Sequence, residues 1–355
     1  MKRFYLLGLL ALASLASCSK AEMAEDENAW IEDDTKPVPV LFSTSGSISA
    51  QTKAIVSGSV MNGLDVGIIG VAEKTGDGLE TVDWSQGDAY TTLINNKHVT
   101  TGEDGSIVFS PKIYYPFGSK YAYSFYSYYP YSNSESEPAS LENGSYSITY
   151  SLGDTDILWA KAEAEEFMTE SGNLTGFNAR YCRAVRKAGQ ENQYFPKLQY
   201  KHLLTALAFK VVSNDEDIAS YDIKVTGLEL KDTYTHASLC VCTTGDAASA
   251  GTLVPSGNGL IGRTDLDVKP STSPSELCTI LAYPSTSYTA VITLTFKHDE
   301  VAETHVLELP INGSSSYNAG YIYYFTVTVN KPEEVTIIQT SLEEWQDGTP
   351  EGAEI

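Results

Sequence analysis

The sequence predicts an all-β protein built from antiparallel β-sandwiches, with few short helices, and three observations carry that prediction. First, apolar and polar residues alternate with period two. Tyr146, Ile148, Tyr150 and Leu152 interleave with Ser145, Ser147, Thr149 and Ser151. Ile292, Leu294 and Phe296 do the same against Val291, Thr293 and Thr295, as do Tyr323, Phe325, Val327 and Val329 against Ile322, Tyr324, Thr326 and Thr328. Such alternation puts successive side chains on opposite faces of a sheet. Second, turn residues punctuate these runs, at Pro116-Phe117-Gly118, Asn143-Gly144, Pro255-Ser256-Gly257 and Asn312-Gly313. Third, helix-forming stretches are scarce, which fits sandwiches rather than βαβ units.

The chain opens with an export signal. Lys2 and Arg3 precede an apolar stretch from Phe4 to Leu15, which ends in Leu15-Ala16-Ser17-Cys18. The stretch is too short to span a membrane as a helix and suits a cleaved leader. Small residues followed by cysteine mark a bacterial lipoprotein, so residues 1–17 are expected to be removed and Cys18 to carry the lipid. Two or more acyl chains anchor stably, at roughly 0.8 kcal/mol per buried methylene. Residues 18–36 are an acidic tether containing Glu22, Glu25, Asp26, Glu27, Glu32, Asp33 and Asp34. Like charges this dense extend a linker and oppose folding.

Composition narrows the function classes. The chain has 355 residues, 42% of them hydrophobic, and a net charge of −23. Its length suggests about two domains with real cores. Loss of the leader removes Lys2 and Arg3 but no acid, which moves the charge from −23 to −25. That acidity excludes nucleic acid as a partner, because phosphate binding needs clustered Lys and Arg. It also excludes electrostatic adhesion to anionic lipid, which leaves the acyl chains to anchor the protein.

From Pro37 the pattern is β. Residues 160–168 carry Ala, Lys and Glu at helix-forming density, and residues 180–190 are basic and read as a short helix. They form an irregular excursion between a first β region, residues 37–197, and a second, residues 198–355. Eight tyrosines fall between Tyr114 and Tyr131. They read as strand residues whose hydroxyls reach the surface, although exposed aromatics could also stack on sugars or form interfaces. Tyr128-Tyr129-Pro130 reads as a strand end, because proline cannot donate to the ladder.

Sites of chemistry are few. There is no Gly-x-Ser-x-Gly elbow, His-Glu-x-x-His or phosphate loop, and the five histidines are scattered singly. No catalytic residue, metal or cofactor is expected. Asp154-Thr155-Asp156 and 214–217 lack calcium-loop spacing and read as solvated turns. Cys240 and Cys242, two apart in a strand, are expected on one face and poorly placed to bridge each other. Cys-Val-Cys lacks a second close Cys or His pair for a metal site. If two bridges form, Cys182 takes one of this pair and Cys278 the other, but buried free thiols are the expectation.

Several segments, taken in order, resemble the fimbrillin family, the lipoprotein pilins of type V pili. They are Leu15-Ala16-Ser17-Cys18, Val40-Leu41-Phe42-Ser43, Thr52-Lys53-Ala54, the tyrosine-rich run at 123–130, Asp156-Ile157-Leu158-Trp159-Ala160, residues 198–209, Tyr317-Asn318-Ala319-Gly320 and Trp345. The resemblance implies two transthyretin-like β-sandwich domains in tandem and export as an outer-membrane lipoprotein exposed at the surface. It also implies proteolytic processing after a basic residue, matched here by Lys53 ahead of Ala54. The family more often carries arginine at this place, and arginine-specific cleavage would fail on Lys53. Cleavage would remove the first strand, and a strand from another pilin subunit would fill the groove. The partners implied are other subunits, the outer membrane through Cys18 before processing, and a host glycan or protein receptor.

These residues suit that chemistry. Val38, Val40 and Phe42 alternate with Pro39 and Leu41, so the segment can insert as a strand with one apolar face. Its removal would open an edge of unpaired N–H and C=O groups, and filling that edge in trans is β-strand addition. The donor expected is residues 335–342, with Val335, Ile337 and Ile338, and its rival role is as the last strand of its own domain. The function expected is a structural pilus subunit that supports adhesion. Its alternative is a non-polymerising surface lipoprotein that binds glycans, or that anchors or caps a pilus.

Overall fold

The structure, a computed structural model, describes residues 28–42, 49–50, 56–57, 62–75, 82, 91–102, 105–117, 120–132, 141, 144–170, 172–190, 193–243, 249–298, 301–311, 315–332 and 334–344. The fold is all-β, as the alternation predicts. The first half contains helix α1 (Ala29–Glu32), a short hairpin of β1 (Ser49–Ala50) and β2 (Val56–Ser57), and then β3 (Asp65–Thr75), β4 (Thr92–Thr100), β5 (Tyr121–Tyr129) and β6 (Ser145–Ser151). It continues with β7 (Leu158–Ala162), a hairpin of β8 (Phe167–Thr169) and β9 (Gly172–Leu174), helix α2 (Ala179–Lys187) and β10 (Lys201–His202). Strands β10-β7-β5-β3-β4 lie in that order in one antiparallel sheet.

This sheet is covered on both faces, which explains the tyrosine-rich strand. On one face, Val66, Ile68, Tyr123 and Phe125 join a core with Phe177, Tyr181 and Leu198. On the other, Ile69, Val71, Tyr126 and Tyr128 join a second core with Ile148 and Tyr150. All seven residues from Ala122 to Tyr128 are buried, so β5 shows no surface alternation. Of the eight tyrosines expected to reach the surface, four are therefore interior, with Tyr115 among them, and three are half-buried. Tyr123, Tyr126 and Tyr128 are fully buried, and of the eight only Tyr114 is well exposed. The Tyr128 ring lies where Gly67 has no side chain; a Cβ there would sit 2.3 Å from it.

The 160–168 stretch, expected as a helix, is β7 followed by the start of β8. In β7, Leu158, Ala160 and Ala162 point inward while Trp159 and Lys161 are half-buried. Pairing with β5 outweighs the helical propensity of Ala and Lys, a modest per-residue preference that tertiary contacts override. The second expected helix is α2. The Asn178 side chain accepts a hydrogen bond from Tyr181 N at 2.9 Å, and Arg186 and Lys187 sit at the negative end of the helix dipole.

The second half runs β11 (Thr205–Val212), β12 (Lys224–Thr233), β13 (His236–Thr243), β14 (Leu253–Ser256), β15 (Gly259–Arg263), β16 (Ser275–Ala282), β17 (Tyr288–His298), β18 (Val301–Ile311), β19 (Tyr321–Lys331) and β20 (Glu334–Glu344). Two four-stranded sheets, β16-β11-β19-β20 and β15-β12-β17-β18, contribute to one core, the sandwich layout the resemblance implies. Phe209 stacks on Phe325 at 5.1 Å within it, beside Val225, Leu228, Ile292 and Leu294. One pair departs from the antiparallel expectation. β11 and β19 are parallel, which the long excursion through the opposite sheet between them permits.

The two halves share a sheet. β6 pairs with β13, which pairs with β14, and residues of β6 and β13 join the second core with the outer face of the five-stranded sheet. Trp159 Nε1 donates to Val241 O at 2.8 Å, and Gly251 lies against the indole ring. A bulge in β13 corrects the cysteine expectation. Cys240 pairs with Ser147 and Cys242 with the adjacent Tyr146, so the two thiols fall on opposite faces. Cys242 is buried and Cys240 half-buried, and none of Cys182, Cys240, Cys242 and Cys278 is joined in a disulfide. Asp156, expected in a solvated turn, is buried and accepts a hydrogen bond from His202 Nδ1 at 2.8 Å.

Candidate strand-exchange site

The site is a groove on the first core, filled by the chain's own 38–42 segment. Val38, Val40 and Phe42 are buried, while Leu41 is 40% exposed, so one apolar face points inward. The backbone pairs antiparallel with the 107–115 stretch. Tyr115 N donates to Val38 O at 2.9 Å, Val40 N donates to Ile113 O at 2.8 Å, and further bridges join Pro39 to Tyr114 and Phe42 to Ile107. Phe42 packs edge-to-face on Phe109 at 5.6 Å and on Phe125 at 5.0 Å. Burial of Val38, Val40 and Phe42 is worth about 1.5–3 kcal/mol each before ordering costs.

Helix α2 holds the approach to this segment. Arg183 Nε donates to Trp30 O at 2.9 Å, and Arg183 Nη2 donates to the carbonyls of Lys36 and Asp34. The guanidinium also lies 3.6 Å from the Asp34 carboxylate. Trp30 is buried and packs on Tyr194 at 5.8 Å. Residues 28–36, expected within a solvated tether, are thus seated on the first core. Trp30 is the readable exception in that acidic stretch; the Arg183 contacts left no local sequence signal, because they join residues about 150 positions apart.

Beneath the segment lie two fully buried titratable groups. Burial pushes the Cys182 thiol up to about 12 and raises the Tyr115 hydroxyl well above the usual tyrosine range. Both groups are therefore neutral and inert while the groove is filled.

The second predicted element, residues 335–342, lies in β20. That strand forms the edge of its sheet and pairs antiparallel with β19 along its length. Val335 and Ile337 are buried, but Ile338 is 61% exposed because it follows Ile337 in an alternating strand. Cys18, Lys53 and Ala54 lie outside the described residues. Among the described residues, no group of three or more His, Cys, Asp or Glu is arranged to hold a metal ion.

The chain is thus an all-β protein with an apolar segment laid into a groove of its first core and a second sandwich that ends in the edge strand β20. Residues 52–345 match the fimbrillin-like family, and the chain belongs to that family. It is thus a surface fimbrial protein, a structural subunit related to pilus-borne adhesion and to assembly with other pilin subunits. No curated protein matches the sequence. Among solved structures, it is similar to a candidate cell adhesion protein of Bacteroides uniformis at 18% identity, with 88% of this chain and 100% of that one covered and a TM-score of 0.49. A candidate cell adhesion protein of Bacteroides eggerthii aligns at 10% identity over 88% of this chain and 98% of that one, with a TM-score of 0.46. The fimbrial anchor protein Mfa2 of Porphyromonas gingivalis aligns at 9% identity over 87% and 97% of the two chains, with a TM-score of 0.31.

Proposed function

We propose that the protein is a pilus subunit that polymerises by strand exchange and performs no catalysis. In this reading, Cys18 carries the lipid that delivers the chain to the outer membrane. A protease then cuts between Lys53 and Ala54, and the 38–42 segment leaves the first core. The observation that supports the reading is the burial of Val38, Val40 and Phe42 against the 107–115 backbone. Once that segment is gone, the groove offers unpaired backbone groups and an apolar slot, the two requirements of strand addition.

The incoming strand is β20 of a neighbouring subunit. Its Val335 and Ile337 are spaced like Val38 and Val40, so they suit the same slot, with Ile338 on the opposite face. As an edge strand, β20 has a single backbone ladder, to β19, and its departure also uncovers Val335 and Ile337. The first domain proposed includes residues 28–36 and runs through β10, past the expected limits of 37–197 and 198–355, because Trp30, Leu198 and Tyr200 pack in the first core and β10 pairs with β7.

Lys53→Ala tests the reading. Wild-type surface material should begin at Ala54 and form a ladder of multimers, whereas the variant should remain a lipidated monomer. A variant that still forms the ladder would sink the cleavage step.

A further inference from the structure

We propose that a cleft at one end of the second sandwich binds a neutral hexopyranose unit. The cleft has a volume of about 160 Å3 and lies between the turn after β12 and the loop joining β16 to β17. A pyranose presents an apolar C–H face and a rim of hydroxyls that both donate and accept. The cleft offers a counterpart to each.

Tyr234 is 44% exposed and meets Tyr283 edge-to-face at 5.4 Å and 82°, a contact that fixes the rim aromatic in place. Tyr283 is held in turn through its carbonyl, which accepts from the buried Tyr288 hydroxyl at 2.5 Å. A rigid aromatic surface at the mouth of a pocket stacks a sugar face at low entropic cost.

The polar half comes from Asp232, Ser285 and Ser287. Asp232 sits at a bulge between Leu230 and Thr233, with φ at 53°. A non-glycine residue in that left-handed region is strained, and such strain persists where the surrounding fold imposes it. Ser287 N donates to Ser285 Oγ, and Ser285 Oγ donates to Ser287 O at 2.9 Å, which shapes the opposite wall. Lys231 also lines the cleft, but both Glu308 oxygens accept from its ammonium at 2.9 Å. Lys231 thus faces two carboxylates, Glu308 and Asp232, so the balance of charge at the cleft is negative and disfavours anions. A volume well below that of drug-sized sites suits one ring, not a chain. The ligand class is therefore a neutral terminal sugar, and sialylated ends are excluded by charge. This inference is independent of strand exchange, because no residue lining the cleft belongs to the 38–42 segment, the 107–115 stretch or β20.

The test is ligand-observed NMR titration of the full mature chain with the methyl glycosides of mannose, galactose, glucose and N-acetylglucosamine. At least one should bind with Kd of order 1 mM. Tyr234→Ala should weaken it about tenfold. Asp232→Asn, which tolerates the same backbone conformation, should weaken it several-fold. Free N-acetylneuraminic acid should not bind. No binding by any of the four glycosides, or binding that both variants leave intact, would overturn the proposal. Loss of sugar binding with multimer ladders unchanged separates this site from the polymerisation reading.

Discussion

Phe42→Ala should open the groove without unfolding the second sandwich. Phe42 is 9% exposed and contacts Phe109 and Phe125 edge-to-face. A buried Phe→Ala change costs about 3–5 kcal/mol, and each aromatic pair contributes roughly 0.5–1.5 kcal/mol beyond burial. We take about 3 kcal/mol, the low end of that range, because neighbours relax into part of the space the ring leaves. Cys182 is the reporter. It is fully buried in the core that the segment covers, and its thiol is raised to about 12. An aromatic disulfide reagent should modify Cys182 only when the segment lifts, so the labelling rate follows the population of the open form. In a background of Cys18→Ser, Cys240→Ser and Cys278→Ser, Phe42→Ala should accelerate labelling about a hundredfold. Phe42→Leu should restore most of the protection. An unchanged labelling rate, with the whole thermal transition shifted down, would show that the segment and the core open together, and the exchange account would lose its first step.

Three further outcomes follow from other parts of the chain. A Cβ on Gly251 would meet the Trp159 ring at 2.5 Å, and its φ is +78°, so Gly251→Ala should cost about 1–3 kcal/mol and lower the thermal midpoint by several degrees. Alkali should destabilise the first core, with a sign set by Cys182. The unfolded thiol ionises near 9.0 and the folded one near about 12, so its contribution is complete below pH 9 and is lost as pH rises through that window. Cys182→Ala should flatten the fall in stability between those values in a denaturant series taken at several pH values. Lys53→Ala should leave the folded chain's thermal midpoint unchanged while abolishing processing, as read by N-terminal sequencing.

Much of the fold was legible because alternation is a direct consequence of half-buried sheets. Strands β6, β17 and β19 carry it plainly. Strand β5 does not, because both of its faces are interior, and nothing local distinguishes an interior tyrosine from a surface one. β7 was misread for a related reason: Ala and Lys favour helices locally, and only the neighbouring β5 makes that stretch a strand. The bulge at Cys240 and the parallel pairing of β11 with β19 are properties of the sheet partners and left no mark in the local pattern. Within the candidate site, the apolar face of Val38, Val40 and Phe42 was readable from spacing alone. The Arg183 clamp and the burial of Trp30 were not, because they depend on where α2 docks.

Mass spectrometry of the N-termini in purified polymer addresses the account's core most directly. Subunits within the polymer should begin at Ala54 and lack the 38–42 segment. Polymer whose subunits all retain residues 28–42 would mean that the groove is never vacated, and that these subunits join by some other surface.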